Sequence, residues 1–105
     1  MTVIKAYRSG GRIFGFSCQG HSGWADAGED IVCAAVTSAV RLAECTINDV
    51  LRAGAEVSVD EQTAAITLKL PQGRNKPAEA VLEGFFLYMR ELSLENPDHI
   101  SMMEV

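Results

Sequence analysis

The sequence predicts an α+β fold of order ββαββαβ, with two helices packed on a mixed or antiparallel sheet of about five strands. Three observations predict it. Two pairs of short alternating segments read as hairpins. Each pair is followed by a longer segment with helix start and stop signals. A last short run, Ile100 to Val105, reads as a closing strand.

Thr2 to Arg8 reads as the first strand, on Val3, Ile4, Ala6 and Tyr7. Ser9-Gly10-Gly11 is its turn, because glycine takes the positive φ of tight hairpins. Arg12 to Gly20 returns. Strict alternation puts Phe14, Phe16 and Cys18 on one face and Ile13, Gly15, Ser17 and Gln19 on the other. His21 to Asp30 reads as a loop. Asp30 then caps a helix that runs to about Ala53, with Gly54 as its C-terminal stop. The first half of that helix is apolar nearly all round, at Ile31, Val32, Ala34, Ala35, Val36, Ala39 and Val40. Such a helix needs cover on every side, from the sheet and from either the second helix or another subunit. Glu56 to Asp60 and Ala64 to Leu70 form the second hairpin. Pro71 to Pro77 reads as loop. The second helix spans about Ala78 to Glu95, with Val81, Phe85, Tyr88, Met89 and Leu92 as its apolar stripe, and Asn96-Pro97 ends it.

A chain of 105 residues makes one domain, 1–105. Its 48% hydrophobic and 22% charged residues are ordinary for a globular protein. A net charge of −5 argues against a nucleic-acid backbone or an anionic membrane as partner and suits a basic peptide or protein. The N-terminus lacks the apolar run of a signal peptide. The apolar stretch from Ile31 to Val40, interrupted by Thr37 and Ser38 and followed by Arg41, is too short to span a bilayer. Three cysteines without paired spacing suit a reducing, cytoplasmic setting.

The chemistry concentrates in "GHSGWADAGEDIVCAAV", residues 20–36. With Asp30 as cap, Cys33 is the third helical residue, where free N–H groups and the helix dipole favour a thiolate. His21 ends the second strand, within reach if that strand packs beside the helix. The pair then makes a nucleophile and its base, and the helix amides can receive an oxyanion. Asp30 has two compatible roles, cap and orienter of the His21 ring. Gly23 and Gly28 suit a mobile lid, Trp24 a ligand contact or a plug over the core, and Thr37 a hydroxyl one turn below Cys33. The opposing reading makes Cys33 a small buried hydrophobe. Cys18 reads as core, Cys45 as structural and His99 as surface. A metal held by His21, Cys33 and Asp26 or Glu29 lacks the usual ligand spacing.

The same stretch resembles the signature of the ribosomal-processing cysteine protease family, Prp. Gly20-His21 and Asp30-Ile31-Val32-Cys33-Ala34-Ala35-Val36 carry the resemblance, and length and element order extend it over the whole chain. Two positions depart from the pattern: Thr37, where Ser is usual, and Ser22, where Ala is common. The resemblance implies a Cys33–His21 dyad, no cofactor and a bacterial cytosolic homodimer. It also implies a substrate: a short hydrophobic N-terminal extension on large-subunit ribosomal protein number twenty-seven. The Ser22, Gly23, Trp24, Gly28 and Thr37 positions are then candidate substrate contacts or lid. Two other classes remain open at this point. One is a ribosome-assembly or peptide-binding module without turnover, using the same groove. The other is a redox-sensing thiol, against which the lack of a neighbouring resolving cysteine counts.

Overall fold

The structure, a computed structural model, describes residues 1–20 and 27–105; the side chains of 27–30 lie outside the description. The elements run β1 (Thr2–Ser9), β2 (Arg12–Gln19), α1 (Ala27–Glu44), a π-helical turn (Cys45–Val50), β3 (Glu56–Asp60), β4 (Ala65–Lys69), α2 (Lys76–Glu95) and β5 (Ile100–Glu104). The sheet order is β3-β4-β2-β1-β5. Neighbours are antiparallel except β5, which lies parallel to β1, so the sheet is mixed. A parallel neighbour needs a crossover, and α2 supplies it on the way from β4 to β5.

Both helices cover one face, because the strands turn their apolar residues to that side: Ile4 and Ala6 on β1, Phe16 and Cys18 on β2, Leu68 on β4 and Ile100 on β5. α1 answers with the stripe Val32, Val36, Val40, Ala43, running on to Ile47 in the π turn, all within 4% exposure. α2 answers with Ala78, Leu82, Phe85, Phe86, Met89 and Leu92. The Phe16 and Phe85 rings stack at 4.4 Å, which fixes α2 over β2. The opposite sheet face carries Lys5, Tyr7, Phe14 and Lys69; Tyr7 and Phe14 meet at 5.9 Å, and the Lys69 ammonium stands 5.0 Å from the Tyr7 ring centre.

Several details differ from strict periodicity. Gly10 and Gly11 have φ of 59° and 80°, the left-handed pair that the β1–β2 turn needs. Past that turn the register slips: Arg8 pairs with Ile13, but Tyr7 pairs with Gly15. The extra residue is Phe14, a bulge that rotates it away from Phe16 and brings Ile13 into the core. The expected shared face of Phe14 and Phe16 is therefore broken at one residue. Gly15 is confined by contact instead, since a Cβ there would stand 2.3 Å from the Leu68 carbonyl oxygen.

α1 begins at Ala27, three residues before the expected Asp30 cap. Ala27 and Glu29 are strong helix formers and carry Gly28 with them, so Gly28 belongs to the helix rather than to the loop. At its far end the α-helix stops at Glu44, and the π turn continues it. There the Thr46 hydroxyl bonds back to the Leu42 carbonyl at 2.7 Å, a known competitor of regular helix bonding. Arg52, with φ 52°, is the first left-handed residue after it, ahead of Gly54. Asn48 then ties the helix end to the next strand, with its side-chain amide giving and receiving a hydrogen bond at Ala55.

The unbroken length raises the hydropathy of this region. Ile31–Val50 is apolar enough by composition alone to cross a membrane, with mean hydropathy 1.3, contrary to the shorter stretch read from the sequence. Its buried stripe packs on the sheet and α2, as a core helix does. α2 also starts early, at Lys76: the Asn75 side chain caps the Ala78 N–H, and Pro77 sits in the first turn where its missing N–H costs nothing. Its buried stripe includes Leu82 and Phe86, while Tyr88 is 46% exposed.

Candidate active site

The N-terminal end of β1 and the C-terminal end of β2 lie side by side, since Val3 pairs with Gln19 and Ile4 with Cys18. That register places Thr2 opposite Gly20. The Gly20 N–H reaches the Ala64 carbonyl at 3.4 Å and draws in the β3–β4 turn. Above these strand ends runs the first half of α1. Cys33, Val36, Thr37 and Val40 point to the same side, being three, four and seven residues apart. The result is a cavity of about 170 Å³ lined by Thr2, Cys18, Gly20, Cys33, Val36, Thr37, Val40, Ala64 and Ile66.

Larger hollows of about 670 and 540 Å³ lie elsewhere, but neither holds a thiol. Chemistry rather than size selects a site. Cys33 is partly exposed at the small cavity and its Sγ stands 3.7 Å from the Thr2 hydroxyl. Thr37 lies at the open side of the same cavity. Cys18 shares the lining but is 5% exposed, and burial pushes its thiol up to about 12, so it stays neutral and unreactive. Cys45, read from the sequence as structural, is exposed at the α1–π junction, and a hydrogen bond with Asp49 raises its pKa. All three cysteines are free thiols.

Two expected features move with the helix start. Asp30 is the fourth residue of α1, inside the first turn rather than its cap. Cys33 is the seventh, not the third. The field of a helix terminus fades within the first turn, so the terminal dipole no longer accounts for activation of Cys33. His21, Ser22, Gly23 and Trp24 lie outside the described residues, as does the side chain of Asp30. Sequence reasoning missed Thr2. The signal was a polar residue on the core stripe Thr2, Ile4, Ala6, where alternation calls for an apolar one.

Three comparisons with known proteins bear on this arrangement. A search of curated proteins finds no match. Among solved structures, SMU.848 from Streptococcus mutans superposes with TM-score 0.89 at 20% identity, covering 100% of this chain and 94% of that one. The essential ribosomal processing protease Prp from S. aureus, in complex with a substrate peptide, superposes with TM-score 0.91 at 16% identity, covering 100% of both chains. The same protease with a covalently linked product peptide gives 0.87 at 16% identity, again over the whole of both chains. At these identities the likeness speaks for the fold. The family follows from the sequence: the model of the cysteine protease Prp family matches residues 1–101, a span that includes the cavity and its thiol, and the chain belongs to that family.

Proposed function

We propose that this chain is a cysteine endopeptidase in which Cys33 is the nucleophile and His21 the general base. The observation that carries the reading is the shared cavity of Cys33 and Gly20. His21 is the next residue in the sequence after Gly20. In the reaction, His21 takes the Cys33 proton and the sulfur attacks the scissile carbonyl carbon. The S–C bond forms as the carbonyl π pair moves to oxygen. Collapse breaks the C–N bond, and the imidazolium gives its proton to the leaving amine. Water then cleaves the thioester with His21 again as base, which restores the thiol.

Asp30, in the first turn of α1, is the residue for orienting the His21 ring. The substrate fitting this reading is the N-terminal extension of a ribosomal protein precursor, number twenty-seven of the large subunit. A chain of net charge −5 attracts such a basic partner, and the S. aureus protease of the same fold is a ribosomal processing enzyme. A cytoplasmic setting suits three free thiols. Cleavage of a synthetic peptide spanning the extension, followed by mass spectrometry, tests the reading. Wild-type protein cuts once, and Cys33→Ala and His21→Ala do not. Undiminished cutting by Cys33→Ala contradicts it, and binding without cutting by the wild type points to a peptide-binding module.

A homodimer is part of the same proposal. α2 covers one flank of α1, but Ile31 and Leu42 remain 70% and 69% exposed. Leu42 lines an apolar groove between the helices that also holds Ala35, Ala39 and Gly84. Sedimentation should give twice the chain mass, and Leu42→Glu should give the monomer; a wild-type monomer at high concentration removes the dimer from the account.

A further inference from the structure

We propose that Thr2 is a positioning residue for Cys33: its buried hydroxyl hydrogen-bonds the sulfur and holds it, as thiolate, toward the cavity. The inference rests on the peptidase reading above. Thr2 is 2% exposed, on a stripe otherwise made of Ile4 and Ala6. A hydroxyl buried at such a place needs a partner. The partner the structure gives it is Cys33, with Oγ1 and Sγ 3.7 Å apart, within reach for sulfur.

The hydroxyl is held firmly. Thr2 pairs with Ile100 of β5, and its N–H donates to the His99 carbonyl at 2.8 Å. Its β-branched side chain is stiff at χ1. α1 is steered from above by Val32 and Val36, which are packed in the core on either side of Cys33. Strand and helix therefore present oxygen to sulfur as a rigid pair.

The contact serves both protonation states. Against a thiol, either atom can donate. Against a thiolate only the hydroxyl can, so loss of the Cys33 proton turns the Thr2 hydrogen onto sulfur. Donation to a charged acceptor is the stronger bond. It also takes over part of the activation that the helix start does not supply to the seventh helical residue. When the S–C bond forms, negative charge leaves the sulfur for the carbonyl oxygen and the Thr2 bond weakens.

A hydrogen bond to the sulfur acts on thiolate population and on nucleophilicity in opposite senses, since nucleophilicity falls by about half a log unit for each unit of basicity lost. That pair of effects has opposite signs on the two sides of a pH profile. Among the described residues the neighbouring titratable groups are the Met1 amine and His99 beside Thr2, and Cys18 across the cavity; His21, the proposed base, lies outside them and is unchanged in every variant. Cys18 stays neutral, its thiol pushed up to about 12. A change at Thr2 removes none of them.

The experiment measures iodoacetamide alkylation of Cys33 against pH in the full chain, read by mass spectrometry of the Cys33 peptide. Wild type, Thr2→Val, Thr2→Ala and Thr2→Ser are compared. Thr2→Val and Thr2→Ala should move the midpoint up by about one pH unit. Their rates should fall about threefold below the midpoint and rise about threefold on the alkaline plateau. Thr2→Ser should restore the wild-type profile to within a few tenths of a unit. On the peptide substrate, Thr2→Val should lower kcat with little change in KM. An unmoved midpoint in Thr2→Val and Thr2→Ala overturns the proposal, as does a uniform loss at all pH values that Thr2→Ser shares. Alkylation reads the thiol without turnover. A shifted midpoint with no cleavage by wild type therefore removes the peptidase reading alone, and an unmoved midpoint with normal cleavage removes the role of Thr2 alone.

Discussion

The space beneath α2 and the space beneath the first half of α1 are built from different side chains. Under α2, Phe16 and Phe85 stack at 4.4 Å, and Leu82 and Met89 are fully buried. Under α1, at the strand ends, the lining includes Thr2, Cys18, Gly20, Cys33, Thr37 and Ala64 and no aromatic ring, and about 170 Å³ of cavity remains. Large aromatics close one region; small residues with three polar heads, Thr2, Cys33 and Thr37, keep the other open. The difference teaches that stability and chemistry are lodged at separate places along one sheet face. Variants in the two regions should therefore fail in different ways.

The largest effect should come from the open region. Cys33→Ala should lower peptide cleavage by more than about a thousandfold, because the nucleophile has no substitute. Its unfolding free energy should fall by no more than about 1–3 kcal/mol, since Cys33 is only partly buried but its loss leaves the buried Thr2 hydroxyl without its partner. Phe85→Ala in the closed region should reverse the pattern. It should cost about 3–5 kcal/mol in urea unfolding, by lost burial and cavity formation. Cleavage per folded molecule should be retained. If Phe85→Ala lost activity while fully folded, the two regions would not be separable.

The smallest effect concerns the edge of the closed region, where α2 begins. Glu79 accepts the Asn75 N–H at 3.0 Å and pairs with Arg74 and Arg12. The Asn75 N–H, followed by Arg74, holds its carboxyl below the usual range. A carboxyl with a lowered folded pKa adds stability above its unfolded value, near 4.3, that is lost as pH falls through the folded value. Thermal melts should show this acid loss in wild type and a smaller one in Glu79→Gln. Identical acid slopes for the two would remove Glu79 from the account.

How much of this was legible in the sequence depended on the range of the interaction. Alternation located the strands, and β3 from Glu56 to Asp60 matches to the residue. The element order was legible from that alternation together with the helix start and stop signals, whereas the choice between a mixed and an antiparallel sheet was settled only by the parallel pairing of β5 with β1. The bulge at Phe14 was not, because one extra residue leaves composition and turn signals unchanged and shows only in the pairing with Tyr7 and Arg8. The start of α1 was misread because Asp30 is a good cap by type, while Ala27 and Glu29 extend the helix past it. Cys33 stood out through its motif. Thr2 did not, since its role arises from two segments thirty-one residues apart meeting at a strand end.

The most direct measurement is intact-protein mass spectrometry after rapid acid quench of wild-type chain with the precursor peptide. The account predicts a transient mass increase equal to the N-terminal fragment less water, mapping to Cys33 as a thioester and absent in Cys33→Ala. Cleavage with no adduct in Cys33→Ala and wild type alike, or an adduct on Cys45, would contradict it.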